Sequence, residues 1–238
     1  MSLKKIFLKT KLTYKIYLYY NLYIRHKCYL KRSQYSQWGE DQFISNFFKD
    51  KSDGIYLDIG CFHPFMYSNT CLLHKRGWHG INIDINPTSI DLFNIARPRD
   101  INICTTINDK KEQFNIFYDD PFSPVNTLDE KFYNNLKGKF FKDKKNLTVE
   151  SKSIDEVLEI SKINNNIDFI NIDVEGMDYK ILKKINIDKL KPKLISIETH
   201  NVDGSKSENF DLIVKFLSSN DFNIHKRVGP STIFSSND

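Results

Sequence analysis

Acidic residues stand where two apolar, strand-like runs of the sequence end. Asp58 closes the run GIYLDIG (54–60), and Asp84 closes the run GINIDINP (80–87). Ligands of parallel α/β sheets bind beyond the carboxyl ends of the strands, so acids at these positions could face a ligand. A carboxylate accepts two hydrogen bonds side by side, and Asp84 is therefore predicted to hold both hydroxyls of a ribose. The alternative is an acid that ends a strand by chance or caps a helix.

The loop after Asp58 contains a single glycine, Gly60. Dinucleotide sites need several glycines, because the backbone must come close to a pyrophosphate. A cofactor with a ribose and an adenine but no phosphate needs fewer glycines in this loop. S-adenosylmethionine (SAM) fits this description, since it carries a sulfonium and an amino-acid tail. The sequence therefore favours SAM over NAD and disfavours an NAD-linked oxidoreductase.

Later strand ends supply the candidates for catalysis. Asp173 and Glu175 lie in NIDVEG, and His200 ends the run KLISIETH. Two carboxylates two residues apart at a strand end point to the same side. They could raise one another's pKa, or together bind a divalent metal ion that lowers the pKa of a bound hydroxyl. His200 needs no pKa shift to act as a base near pH 7, whereas Glu175 could simply be an acid at a helix N-terminus.

Apolar runs of strand length alternate with helical patterns along the chain, which indicates parallel βαβ units with helices on both faces of a sheet. The last two runs, FNIHKRV and STIFSS, predict an antiparallel hairpin around Gly229-Pro230. Residues 120–146 look irregular and are predicted to cover the acceptor as a lid. Further predictions are a helix after Ser36 as cap, third and fourth strands at 100–107 and 113–119, and an edge strand at 147–153.

The positive charge of the chain is concentrated at one end. Residues 1–32 contain nine Lys or Arg and no Asp or Glu, and since the whole chain is +5, residues 33–238 carry −4. The folded part therefore lacks the clustered cations of a nucleic-acid-binding face, and no nucleic acid is expected as a partner. The four cysteines are scattered, which is typical of reduced thiols in a cytoplasmic protein.

Residues 1–32 have the pattern of a basic amphipathic helix. Their longest uncharged run, 16–24, has nine residues, far short of the roughly 20 that span a bilayer. Such a segment suits the surface of an anionic membrane, which would make the protein peripheral on the inner face of the membrane. Packing on the folded domain, or on its twin in a homodimer, is the alternative. We expect residues 1–35 to precede one domain at 36–238.

Six stretches of the sequence resemble the FkbM family of SAM-dependent methyltransferases. They cover roughly residues 36–200 in order, and the run DIG-x-x-x-P-x-x-x-SNT is quite specific. The stretches are SQWGEDQFI (36–44), YLDIGCFHPFMYSNTCLL (56–73), GWHGINIDINP (77–87), FNIARPRDINI (93–103), INIDVEGMDYKILKKI (170–185) and KPKLISIE (191–198).

The resemblance implies a Rossmann-like class I methyltransferase fold, with a mostly parallel seven-stranded sheet and SAM as cofactor. It also implies O-methylation of a sugar hydroxyl in a surface polysaccharide or glycolipid. A non-catalytic, membrane-associated member that binds a glycan or a partner protein is the alternative.

Carried onto matching positions, the resemblance also implies a cofactor site. Asp58, Gly60 and Cys61 would border the methionine part of SAM, and Ser68 and Asn69 could bind its carboxylate at a helix start. The remaining positions are Asp84 with Ile85 and Asn86 at the ribose, and Thr106 and Ile107 at the adenine edge. His63 either orders this loop or reaches the acceptor, and we favour the first.

Overall fold

The computed structural model describes residues 10–118, 120–136, 145–163 and 166–237. The strands in chain order are β1 (Ile55–Ile59), β2 (His79–Asp84), β3 (Ile101–Cys104), β4 (Thr106–Ile107), β5 (Gln113–Tyr118), β6 (Lys145–Lys152), β7 (Phe169–Ile172), β8 (Leu194–Glu198), β9 (Phe222–Val228) and β10 (Ser231–Ser236). The α-helices are α1 (Lys11–Tyr20), α2 (Glu40–Phe47), α3 (Cys71–Lys75), α4 (Pro87–Ala96), α5 (Glu130–Leu136), α6 (Ile154–Ser161), α7 (Asp178–Leu182), α8 (Ile187–Leu190) and α9 (Phe210–Ser218).

Seven strands form the main sheet in the spatial order β3–β2–β1–β7–β8–β10–β9. The first five of these run parallel, and β10 lies antiparallel between β8 and β9. The C-terminal hairpin and the mostly parallel sheet are thus confirmed. The strand order is that of a Rossmann-like class I methyltransferase fold, with its switch point between β1 and β7, where a ligand crevice is expected.

Both faces of the main sheet are covered, which explains why its central strands are apolar throughout. Along β1 the side chains alternate: Leu57 packs in one core cluster, with residues of α6, α7 and α9. Tyr56 packs in a second cluster on the other face, with residues of α2 and α3. Each strand of this central region is therefore fixed from two sides, and its polar carboxyl end is held at a defined edge.

The predicted third strand is wrong beyond Cys104, because the chain leaves the main sheet there. The Thr105 N–H donates to the Asp84 carbonyl at 3.0 Å, and the Thr105 hydroxyl donates to the Glu150 carbonyl at 2.7 Å. The next two residues form β4 in a second, three-stranded sheet ordered β4–β6–β5. The strand predicted at 147–153 is present as β6, but its predicted edge position is wrong, since β6 is the central strand of that sheet.

The helix predicted after Ser36 begins four residues later, at Glu40, behind Gly39 with φ +98°. The Ser36 hydroxyl oxygen still accepts from the N–H groups of Gly39 at 3.0 Å and Asp41 at 3.3 Å. The segment predicted as irregular contains α5, and residues 137–144 of it lie outside the described residues.

The N-terminal helix α1 packs on the rest of the fold by one face. Leu18 and Leu22 form a buried cluster with Leu92 of α4, and the Tyr14 hydroxyl donates to Asp91 Oδ2 at 2.7 Å. The predicted packing on the folded domain is therefore present, whereas residues 1–9 lie outside the described part. No helix in that part is long and apolar enough to cross a membrane.

Candidate functional site

A cleft with about 570 Å³ of open space lies at the carboxyl ends of β1, β2 and β7. Its walls come from the loops after these strands, from the start of the second sheet and from the segment at 123–128. Of the predicted cofactor residues, the lining includes Gly60, Asp84, Ile85, Asn86 and Thr106, and of the predicted catalytic residues it includes Asp173 and Glu175. These seven predicted positions share one cleft.

Asp84 lies at the end of β2 with both carboxylate oxygens held by backbone N–H groups. Phe62 N donates to Oδ2 at 2.8 Å, and Asn86 N donates to Oδ1 at 2.7 Å. Burial raises the pKa of Asp84 to about 6. Since each carboxylate oxygen has two lone pairs, each keeps one for a ligand hydroxyl. The backbone donors fix the carboxylate in place, which suits a ribose clamp.

Gly60 allows the loop after β1 to touch the loop after β7. Its φ is +86°, and a Cβ built on it would lie 1.7 Å from the carbonyl oxygen of Asp173. Any other residue would collide with this backbone atom, so the close approach explains the single glycine. The contact brings the two strand ends together beneath the cleft.

The segment at 120–128 forms one side of the cleft, and the prediction that residues 120–146 cover the acceptor as a lid stays a prediction. Asn86 Nδ2 donates to the Pro121 carbonyl at 2.7 Å, and the Thr127 hydroxyl donates to the Glu175 carbonyl at 2.9 Å. Asn126 Oδ1 lines the cleft buried and without a hydrogen-bond partner among the described residues. Such an acceptor requires a donor, and an adenine amine or ribose hydroxyl supplies one. These acceptors in the cleft, the Asp84 carboxylate and Asn126 Oδ1, therefore fit the hydroxyls and amine of SAM.

Asp58 does not line this cleft. Thr70 Oγ1 donates to its Oδ2 at 2.7 Å and Asn171 Nδ2 to its Oδ1 at 2.9 Å. Asn69 Nδ2 in turn donates to Asn171 Oδ1 at 2.9 Å. The carboxylate is thus a buried anchor between β1 and β7. Cofactor contacts of Asp58 and Asn69 stay predictions.

Arg97, which sequence reasoning did not single out, organises the SNT run. Its buried guanidinium donates to Thr70 Oγ1 at 2.9 Å, to Ser68 Oγ at 3.0 Å and to the Pro64 carbonyl at 2.5 Å. The expected helix start at Ser68 is displaced, since α3 begins at Cys71. Ser68 therefore helps to hold the loop through its hydrogen bond with Arg97, and its role in binding the SAM carboxylate stays a prediction.

Three other residues predicted to lie at the site are in the protein interior. Cys61 packs with Ile90 and Phe93, and Ile107 belongs to the main core. His63 is buried, with Nδ1 accepting from the N–H groups of Phe65 and Met66 at 3.1 Å each.

The other His63 ring nitrogen, Nε2, lies 3.2 Å from Asn21 Oδ1. Burial lowers the pKa of His63 to about 3, so the ring is neutral and Nε2 is the donor. His63 thus orders the loop and takes no acid–base role.

A second, wider cleft adjoins the first and shares Pro124, Asp173 and Glu175 with it. Its open space is about 1630 Å³. It contains His200, as predicted, and also Glu198, which sequence reasoning missed although this acid ends β8. The described residues lining it include five acids and no Lys or Arg: Glu40, Asp173, Glu175, Asp178 and Glu198. Aromatic rings of Trp38, Tyr67 and Phe132 face the same space.

The acids of the second cleft lie close enough together to raise one another's pKa values. Desolvation, with repulsion from Asp178, raises the pKa of Asp173 to about 7, while the residue itself lies exposed on the open cleft. Burial and repulsion from Asp173 raise the pKa of Glu175 far above its usual range and that of Glu198 to about 10. As pH rises, Asp173 is therefore the first of these three carboxyls to lose its proton, and it does so near neutral pH.

Burial lowers the pKa of His200, and its Nδ1 lies 2.8 Å from the Thr199 hydroxyl. The structure describes no group of three or more His, Cys, Asp or Glu side chains that could bind a metal ion. Metal binding by the pair Asp173 and Glu175 stays a prediction.

A sequence model described as "Methyltransferase FkbM domain" matches residues 58–224. No curated protein matches the chain in sequence. Among solved structures, that of the 16S rRNA methylase ArmA aligns with 13% identity over 99% of this chain and 91% of its own, at a TM-score of 0.36. So low a likeness carries no argument. The family match spans well over half of the chain, and the protein therefore belongs to the FkbM methyltransferases, a family whose methyl donor is SAM.

Proposed function

We propose that the protein transfers a methyl group from SAM to a hydroxyl of a neutral sugar, in a surface polysaccharide or a glycolipid. The observation that carries this proposal is the junction of the two clefts at Asp173 and Glu175. One cleft has the donors and acceptors for a nucleoside, and the other has carboxyls and aromatic rings at its wall. The methyl donor and the acceptor would meet where the two clefts share these residues.

The second cleft suits a sugar by its side-chain types. Carboxyls accept hydrogen bonds from neighbouring hydroxyls, and the exposed rings of Trp38 and Tyr67 offer flat apolar surfaces for the faces of a sugar ring. Among the described residues lining this cleft, no Lys or Arg offsets the ionised acids, which opposes the binding of a phosphate or a uronic acid. The polysaccharide or glycolipid context comes from the family resemblance.

Asp173 is the proposed base. Methyl transfer from a sulfonium is an in-line displacement with an activated donor, so the protein chiefly holds the acceptor oxygen about 3 Å from the methyl carbon. A sugar hydroxyl is a weak nucleophile at neutral pH, and a base near it accelerates the reaction by removing the proton. A pKa of about 7 makes Asp173 half ionised at neutral pH. Glu175 and Glu198, still protonated, can donate hydrogen bonds to sugar oxygens.

An Asp173→Asn substitution tests this role. It should lower kcat by about 10²–10⁴-fold and abolish the rise of the rate with pH through about 7. His200→Gln, a change in the same cleft, should keep that rise. A full rate and an unchanged pH profile in the Asp173 variant would show that another group is the base.

One binding measurement and one rate comparison test the proposed ligands. Calorimetric titration with SAM should give a heat signal that Asp84→Ala removes, because the ribose loses its double acceptor; a flat titration of the folded wild type contradicts the donor. Methyl transfer from labelled SAM should be faster to neutral glycans than to matched uronic acid glycans. Faster transfer to the uronic acid glycans would contradict the proposal that the second cleft binds a neutral sugar.

A further inference from the structure

The N-terminal helix leaves one apolar face uncovered. We call it the exposed N-terminal face: Leu12, Ile16, Tyr19, Tyr20, Tyr23 and Ile24. Three of these aliphatic side chains are widely open, Leu12 at 71%, Ile24 at 60% and Ile16 at 51% of their full surface. Their spacing of three and four residues gathers them on one side of α1 and of the π-helical turn Asn21–Arg25 that follows it.

The exposed N-terminal face is not the side of the helix that packs on the protein core. The opposite side of the same helix is already buried, because Leu18 and Leu22 pack against α4. Tyr14 fixes the helix through its hydrogen bond to Asp91, and the Tyr17 ring meets Phe122 edge-on at 5.3 Å. The fold therefore holds the helix firmly and presents its apolar side outward.

The charges around the face identify its occupant. Lys11, Lys15, Arg25 and Lys27 are exposed in the same segment, and residues 1–32 contain no acid to offset them. A second copy placed symmetrically on this face would bring cation against cation, which opposes a twofold dimer. Exposed aliphatic side chains, tyrosines and cations together match the interface of an anionic bilayer, where Tyr rings lie at headgroup level.

We propose that the exposed N-terminal face binds the surface of membranes that contain anionic lipids. The aliphatic side chains would enter the boundary between headgroups and acyl chains, and the cations would contact the anionic headgroups. The Asn21–His63 hydrogen bond joins this segment directly to the loop after β1 beside the methyl-transfer site. The proposal stands independently of the methyl acceptor.

The test is cosedimentation of the full chain with phosphatidylcholine vesicles, with and without phosphatidylglycerol. We expect binding only to the anionic vesicles, weakening as salt rises. The triple variant Leu12→Ser, Ile16→Ser, Ile24→Ser should lower the partition coefficient at least about tenfold. The matched control, Ile160→Ser with Leu212→Ser, changes residues 48% and 46% exposed on other helices and should bind as the wild type.

A second variant, Lys11→Gln with Lys15→Gln, tests the electrostatic part and should weaken binding by about fivefold per cation. Circular dichroism establishes that each variant is folded. Absence of binding by the folded wild type overturns the proposal, and so does binding that the triple variant retains. A wild type that ignores vesicles and elutes as a dimer, which the triple variant converts to monomer, would assign the face to self-association instead.

Discussion

Replacement of Gly60 by alanine should separate two reasons for a glycine: a positive φ angle, and a contact too close for a Cβ atom. Gly60 and Gly77 both have positive φ, +86° and +109°. A Cβ on Gly77 would have no neighbour nearer than the Ser52 carbonyl oxygen at 3.9 Å, whereas one on Gly60 would lie 1.7 Å from the Asp173 carbonyl oxygen. Gly77→Ala is therefore the matched control, because it shares the backbone conformation and lacks the collision.

The expected magnitudes follow from these distances. Left-handed backbone costs a non-glycine residue about 1–2 kcal/mol, and both variants should lose that much stability. Relief of the collision requires the loops after β1 and β7 to move apart by at least about 1.3 Å, since Cβ contacts shorter than 3.0 Å are essentially absent from proteins. A displacement of about 1 Å at reacting groups can cost 10²-fold in rate. Gly60→Ala should thus lower kcat/KM at least about 100-fold.

The assay combines urea unfolding with SAM calorimetry and methyl transfer. Gly77→Ala should retain SAM affinity and rate in spite of its lower stability, and Gly60→Ala should lose both at temperatures where it remains folded. If Gly60→Ala binds SAM and turns over as Gly77→Ala does, the contact between the two strand ends does not shape the cleft, and our account of the single glycine is refuted.

Two further predictions concern stability. The pKa values of Asp84 and Asp178 are raised to about 6 and that of Asp173 to about 7. The folded protein without ligand therefore keeps protons that the unfolded chain has already lost. The stability that comes from these three groups is complete below about pH 4 and is lost as pH rises through about 7. Urea unfolding should show a smaller fall in Asp173→Asn than in the wild type over that window, and an equal fall contradicts the assignment. Arg97→Met should lower the free energy of unfolding by about 3 kcal/mol or more, because buried acceptors on Ser68, Thr70 and Pro64 lose their donor. The exposed Arg99→Met control should change it by less than about 0.5 kcal/mol.

The sequence predicts the elements of the main sheet well because their signals are local. Each buried strand is a short apolar run, and the acid or glycine after it marks the carboxyl end. Asp84 and Asp173 were found in this way, since position at a strand end is readable without contacts. The C-terminal hairpin is predictable for a similar reason, as Gly229-Pro230 interrupts two β-rich runs.

Residues whose roles depend on distant partners could not be predicted. Ser68 and Asn69 have the types and position of cofactor ligands, but their hydrogen bonds are to Arg97 and Asn171, which are far away in the chain. The break after Cys104 depends on Thr105 bonding to Glu150, 45 residues later. Glu198 carries a signal of the kind that identifies Asp84, because it is an acid that closes an apolar strand.

The hydrogen bond between Asn21 and His63 has a practical consequence for protein production. Trimming the chain to residues 36–238 would leave His63 Nε2 without its acceptor and would expose the apolar side of Leu92, which Leu18 and Leu22 now cover. The shortened protein would have an exposed apolar surface, and the loop beside the cofactor cleft would lack one of its hydrogen bonds. Crystallisation or screening efforts that discard the tail as an appendage would thereby damage the enzyme they intend to isolate.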